Sequence, residues 1–302
     1  MAAGASIRAF IHIVELRTKV ISMTTFVSAV LYSRYAGEAV RLPLLLLMTA
    51  AVLLVDMGTT AFNSFFDYVR GVDHRAHTRE EDKLLVKGEA SPGAALLISV
   101  LLYVGAVACG LAVAFLTGIE VALAGALCMA VGFLYNAGPL PLSSTPFGEL
   151  FAGGFLGSVL FLISCYVFQG TLTAEALLVS LPFTLYIASI LTVNNTCDME
   201  GDAEAGRKTL VVLCGSLCGR ILIYLLGFAA YGSLLVLAAV RMLPAEVFWT
   251  VPPAAAAAAV GYVRMDRRGY SHLTKGANMS AVVRLFALFG AAVLAALAFS
   301  LL

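Results

Sequence analysis

The chain is divided into nine continuous apolar runs, approximately residues 12–35, 43–67, 93–117, 119–136, 147–170, 173–197, 211–240, 245–264 and 278–302, separated by charged, Pro-rich or Gly-rich segments. Helices of roughly 20 apolar residues match the hydrocarbon thickness of a bilayer, whereas a membrane barrel would show shorter segments of alternating polarity. With 61% of its 302 residues hydrophobic and only 12% charged, the chain is excluded from the soluble globular class. The pattern predicts an all-α polytopic bundle of nine transmembrane helices forming one domain over residues 1–302. A net charge of +1 gives no basis for nucleic acid as a partner; the partner of such a surface is the lipid bilayer. Arg8, Arg17 and Lys19 precede the first run without a small-residue cleavage site after it, so this segment is expected to be retained as the first helix. The six cysteines lack C-x-x-C spacing and read as small packing residues.

Positive residues near helix ends accumulate on the cytoplasmic side of a membrane. The N-terminus carries three Lys or Arg, and the loops after runs two, six and eight carry five, two and four. The opposite loops hold Arg34, Arg41 and Arg241. Nine spans with a cytoplasmic N-terminus follow, and they put the ends of the second and sixth spans on the cytoplasmic face of the plasma (inner) membrane.

Those two ends carry the polar residues that an apolar chain needs to explain. The second closes with "NSFFDYVRGVD", Asn63 to Asp73, and the sixth with "NNTCDMEGDAEAGRKTL", Asn194 to Leu210. Positions four apart share a helix face, so Asn63 aligns with Asp67, and Asn194 with Asp198 and Asp202. Extended backwards, the first stripe reaches Thr60 and Asp56, a carboxylate expected to face a cavity or another helix rather than lipid. Gly71 permits a turn that would bring Asp73 back towards Asp67. Converging carboxylates without basic residues in the same helix repel one another unless a cation lies between them. Mg²⁺ is held by one or two carboxylates together with substrate phosphates, which makes a metal diphosphate the natural guest. Arg70, Lys83, Arg207 and Lys208 are the basic groups placed to offset the diphosphate charge.

These two motifs resemble the aspartate-rich motifs of the UbiA superfamily of intramembrane prenyltransferases. More narrowly, N-x-x-x-D-x-x-x-G-x-D, the double Asn of "NNTCD" followed by "GRKTLVV", and "YNAGPLPLSSTPFGEL" resemble the 1,4-dihydroxy-2-naphthoate polyprenyltransferases, the MenA type of menaquinone biosynthesis. The chain departs from the family in three places. Ser64 follows Asn63 where Asp is common, Asp56 stands where an uncharged amide is usual, and "KLLVKG" replaces Arg-Pro-Leu before a Gly, with Lys83 in place of the arginine.

The resemblance implies transfer of a polyprenyl chain from polyprenyl diphosphate to 1,4-dihydroxy-2-naphthoate with loss of the ring carboxylate. It implies that Asp67, Asp73, Asp198, Asp202, Asn63 and Asn194 hold Mg²⁺, and that Asn63, Asn194, Asn195, Arg70, Lys83 and Lys208 bind the donor's diphosphate. Tyr135 is implied to steady the allylic cation or the diphosphate, and Lys19 in "ELRTK" to meet the acceptor's carboxylate. Another aromatic acceptor, such as 4-hydroxybenzoate, is the alternative within the class. A multi-pass ion-coupled transporter is the alternative outside it, but it would place polar groups near the bilayer midplane rather than at one face. His12, His74, His77 and His272 have no metal-ligand spacing and are assigned no site.

Overall fold

The computed structural model describes residues 2–72 and 84–302; Asp73 and Lys83 lie outside the described residues. Among these the chain is helical throughout, with no strand. The long helices are α1 (Ala2–Ile13), α2 (Val20–Tyr35), α3 (Leu42–Val69), α4 (Pro92–Thr117), α5 (Ile119–Asn136), α6 (Gly148–Gln169), α7 (Ala174–Glu204), α8 (Ser216–Ala239), α9 (Val247–Arg268) and α10 (Lys275–Phe299). Several starts follow from local chemistry. Ser91 accepts from the Ala94 N–H with Pro92 in the first turn of α4, and Thr173 caps α7 by accepting from the Ala176 N–H.

Seven of these helices, α3 to α8 and α10, are long and apolar enough to cross a membrane, and the protein is a multi-pass membrane protein. Helices α2 and α9 lie where the first and eighth spans are expected but fall outside those limits, so seven of the nine expected spans meet them. Helix α2 has only 16 residues. Helix α9 carries Pro252, Pro253 and a run of alanines, which are only weakly apolar.

The expected single helix over 12–35 is instead two. Glu15 takes a left-handed conformation (φ 46°, ψ 60°), and a 3₁₀ turn over Leu16–Lys19 joins α1 to α2. Both the N–H and the hydroxyl of Thr18 donate to the Glu15 carbonyl, at 2.9 and 2.8 Å, a local closure that competes with continued helix. The break leaves the Ile13 carbonyl free to accept from Ser64 Oγ on α3 at 3.2 Å. It thereby fixes this hinge against the helix that carries the first motif.

Helix α7 is central: 67% of its apolar window is buried, against 17% and 11% for α4 and α5 at the periphery. Its Phe183, Tyr186, Ile190 and Val193 join Ile223 and Leu234 of α8, Tyr262 of α9, and Phe286 and Phe289 of α10 in the main core. On its other side α6 crosses α7 at Gly157, where an added Cβ would lie 2.5 Å from the Thr184 backbone nitrogen. A π-helical turn over Gly154–Val159 accompanies this close approach. All six cysteines are free thiols.

Candidate active site

Helices α2 to α7 and α10 enclose a cavity of about 960 Å³. Asn63 and Asp67 of α3 and Asn194, Asn195, Asp198 and Asp202 of α7 all line it. Away from these groups its wall is largely apolar, with Met48, Val52, Val113, Leu160 and Ile187 among the lining residues. Both motif helices end in the same way. Val72 N–H donates to the Asp67 carbonyl and Gly71 N–H to Tyr68, at 2.9 and 3.1 Å; Arg207 N–H donates to Asp202 and Gly206 N–H to Ala203, at the same two distances. In both closures a glycine with positive φ, 70° at Gly71 and 73° at Gly206, supplies the reversal. Measured from these ends, Asp67 corresponds to Asp202 and Asn63 to Asp198. The N-x-x-x-D spacing shared by Asn63–Asp67 and Asn194–Asp198 would instead match Asp67 with Asp198.

The two acidic ends share one electrostatic environment. Asp202, only 4% exposed, has Arg207, Asp198, Lys275 and Asp67 as its charged neighbours. Arg207 Nη1 donates to Asp202 Oδ1 at 3.0 Å and Nη2 to the Ser143 carbonyl at 2.8 Å. Asp202 Oδ2 is buried and has no hydrogen-bond partner among the described residues. Lys275, at the start of α10, pairs with Asp198 Oδ2 at 2.8 Å, and Asn194 Nδ2 donates to the same oxygen at 3.3 Å. Asn195 Nδ2 donates to Glu149 Oε1 at 2.8 Å in a buried contact. Tyr135 lies on the cavity wall, with Glu149, Arg207, Asp67 and Asp202 as its charged neighbours.

A second polar group lies farther along α3. Lys19 Nζ, 4% exposed, pairs with Asp56 Oδ1 at 2.6 Å and donates to Thr60 Oγ1 at 2.7 Å, while Ser22 Oγ donates to Asp56 Oδ2. Asp56, Thr60 and Ser22 face the cavity. The carboxylate inside the apolar run is thus directed inward, as expected, and it occupies the ammonium of Lys19.

Two expected diphosphate ligands lie away from the cavity. Arg70 donates to the carbonyls of Asn136 and Gly138 and stacks over Phe66, with 5.3 Å to the ring centroid. Lys208 is exposed, its backbone N–H bound to Ser144. Of the two adjacent basic residues, Arg207 enters the site. The cavity wall also carries Lys275, Arg17, Arg284 and His272, and Glu149 supports it through Asn195. Lys275 and Arg284 sit on a last helix with no motif of its own, and only the positive-residue count touched Lys275.

Among the described residues no three His, Cys, Asp or Glu converge into a closed metal site. Mg²⁺ does not require one, because it keeps several waters and is shared between a few carboxylates and a phosphate. Asp67 on one wall, Asp198 and Asp202 on the other, and the side-chain amides beside them supply hard oxygen donors of that open kind. The unpartnered Oδ2 of Asp202 is consistent with such use. The residues fit the ion.

Solved structures share this fold. A UbiA homolog from Aeropyrum pernix K1 superposes with a TM-score of 0.71 at 19% identity, over 96% of this chain and 99% of that one. A UbiA homolog from Archaeoglobus fulgidus, bound to DMAPP and Mg²⁺, superposes with a TM-score of 0.64 at 16% identity, over 95% and 99%. Fold and cavity together define a class, the polytopic helical proteins that hold a charged site against an apolar interior. A family model for the UbiA prenyltransferase family matches residues 21–282, and the chain belongs to that family. It is 35% identical over 176 residues to 1,4-dihydroxy-2-naphthoate octaprenyltransferase of Bacillus subtilis (58% of this chain, 56% of the relative). It is 32% identical over 208 residues to UbiA prenyltransferase domain-containing protein 1 of Gallus gallus (68% and 61%). The matches thus span between 56% and 61% of the length of these two relatives.

Proposed function

We propose that this UbiA-type prenyltransferase moves a polyprenyl group from polyprenyl diphosphate to 1,4-dihydroxy-2-naphthoate. The ring carboxylate leaves as carbon dioxide, giving a demethylmenaquinone. The observation that carries the reading is that Asp67 and the Asp198–Asp202 pair line one cavity whose remaining wall is largely apolar. The name of the Bacillus subtilis relative supports the choice of acceptor.

Asp67, Asp198 and Asp202, with Asn63 and Asn194, would hold Mg²⁺, and Asp73 is assigned to the same set. When bound, Mg²⁺ supplies Lewis-acid stabilisation of the charge that grows on the leaving diphosphate. Arg207 and Lys275 are already held beside the acidic pair, so they meet the rest of that charge without reorganising. Asn195, fixed by Glu149, presents its amide at the same wall. Tyr135 and the apolar lining exclude water from the allylic carbon while the acceptor ring forms the new C–C bond. The prenyl tail lies along the apolar wall. The positive-residue count directs the acidic end towards the cytoplasm.

The test offers 1,4-dihydroxy-2-naphthoate and 4-hydroxybenzoate separately to membranes containing the protein, with Mg²⁺ and one polyprenyl diphosphate, followed by mass analysis. A product equal to naphthoate plus prenyl minus carbon dioxide is expected. Product from 4-hydroxybenzoate alone moves the assignment to another acceptor. No product from either overturns it.

A further inference from the structure

The acidic end of the cavity has its own cations, Arg207 and Lys275, each paired with an aspartate. Farther in, Lys19 is neutralised by Asp56. Two guanidiniums on the same cavity wall remain, Arg17 and Arg284, and neither makes a hydrogen bond or ion pair to a described residue. Arg284 belongs to α10, which is apolar enough to span a membrane. It shares the cavity-facing stripe Lys275, Gly276, Met279, Ser280, Val283, while Val282, Leu285, Phe286 and Phe289 of the same helix are buried in the core. Both arginine side chains are exposed rather than packed in the core, and a charge on a membrane-spanning helix is expected to face a cavity and meet a partner there.

The level of the two arginines follows from helix geometry. Helices α2 and α10 both begin at the acidic end: Lys275 pairs with Asp198 near the end of α7, and Lys19 reaches Asp56 and Thr60 in the second half of α3. They touch where Thr24 packs against Gly290, so closely that a Cβ on Gly290 would overlap it. From that contact Arg284 lies six residues, about 9 Å, back towards the acidic end. Arg17 lies seven residues back on α2, about 12 Å through the hinge turn. The two are therefore at similar depth. Arg284 is nine residues beyond Lys275, about 14 Å inside the Asp198–Lys275 pair. A diphosphate held at the acidic end does not reach that far, and the prenyl tail carries no charge. The remaining reactant is the acceptor.

We propose that Arg284, together with Arg17 on the hinge, recognises the carboxylate of an aromatic acid and makes the cavity select acids over the corresponding neutral phenols. This rests on the reading that the cavity joins a prenyl diphosphate to an aromatic acceptor. It moves carboxylate recognition from Lys19, whose charge Asp56 already cancels, to the two guanidiniums that have no ion-pair partner among the described residues and whose planar forks suit a carboxylate. The Lys19–Asp56 pair then serves a different purpose: without Lys19, the Asp56 carboxylate would repel an acid from the same wall.

The test uses the full chain in detergent, without Mg²⁺ or prenyl diphosphate, titrated with 1-hydroxy-2-naphthoate and with 1-naphthol and followed by ligand fluorescence. The wild type is expected to bind the acid at least about tenfold more tightly than the naphthol, and Arg284→Gln to bring the two within about twofold. Arg284→Lys should fall between them, because it keeps the charge without the fork. It decides the matter if Arg284→Gln does not fold. Arg17→Gln should weaken the acid and spare the naphthol. Mg²⁺-dependent binding of geranyl diphosphate should stay within about twofold of wild type in every variant. Wild-type acid binding in the Arg284 variants overturns the proposal, as does a loss of geranyl diphosphate binding equal to the loss of acid. If geranyl diphosphate fails to bind the wild type, the prenyl-transfer reading falls separately, and the acid-against-naphthol difference still decides the role of Arg284.

Discussion

Replacing Lys19 with Met tests whether the polar group inside the bundle is a coupled unit. At 2.6 Å and an effective dielectric of about 20, the attraction between Lys19 and Asp56 is about 6 kcal/mol, most of it offset by desolvation of both ions. Removing one partner of a buried pair typically costs about 3–5 kcal/mol, because the other charge is left uncompensated. Here Asp56 keeps the Ser22 hydroxyl and a side chain 14% exposed to the cavity. The expected cost of Lys19→Met is therefore lower, about 2–3 kcal/mol. Asp56→Asn leaves the Lys19 ammonium, the more buried of the two ions, with only Thr60 and neutral oxygens, and should cost about 2–4 kcal/mol. The double variant Lys19→Met, Asp56→Leu should return to within about 1 kcal/mol of wild type, since neither charge is then buried alone. Equilibrium unfolding in dodecyl maltoside titrated with SDS, followed by circular dichroism, gives the cycle. A double variant whose loss equals the sum of the single losses would refute the coupling.

Three further outcomes are expected. Glu149→Ala removes the acceptor of the buried Asn195 amide and should cost about 1–3 kcal/mol, while Glu149→Gln, which keeps an oxygen there, should cost less than about 1 kcal/mol; thermal unfolding distinguishes them. Gly157→Ala places a Cβ against the Thr184 backbone and should destabilise by about 1–3 kcal/mol by forcing α6 from α7, with an unchanged melting temperature as the contrary result. Arg207→Leu frees Asp202 and should raise KM for the prenyl diphosphate by about tenfold with under twofold change for the acceptor; equal changes in both would place Arg207 outside the donor site.

Helix positions were legible because continuous apolar runs bounded by Gly, Pro and charge leave few alternatives in a membrane, and the runs recur as helices close to the expected bounds. The alignment of Asn63 with Asp67, and of Asn194 with Asp198 and Asp202, was legible from helical period alone. So was the inward direction of Asp56. What the sequence hid depended on single backbone conformations. The hinge at Glu15 carries no Gly or Pro to announce it, and it divides the first run. The closure at Gly206 directs Arg207 rather than Lys208 into the cavity, a choice that adjacent basic residues cannot reveal. Arg70 lies beyond the last residue of α3, so its guanidinium reaches the carbonyls at Asn136 and Gly138 instead of the cavity. Arg284 and Lys275 acquire meaning only from which face of α10 looks inward, and Glu149 only from the crossing that brings it to Asn195.

Titration calorimetry with geranyl thiodiphosphate, an unreactive donor analogue, in wild type, Asp67→Asn, Asp198→Asn and the double variant asks whether α3 and α7 grip one diphosphate through shared metal. Each single variant should lose at least about tenfold in affinity, only when Mg²⁺ is present, and the double variant should lose less than the two combined. Wild-type affinity in either single variant, or binding indifferent to Mg²⁺ throughout, would contradict it.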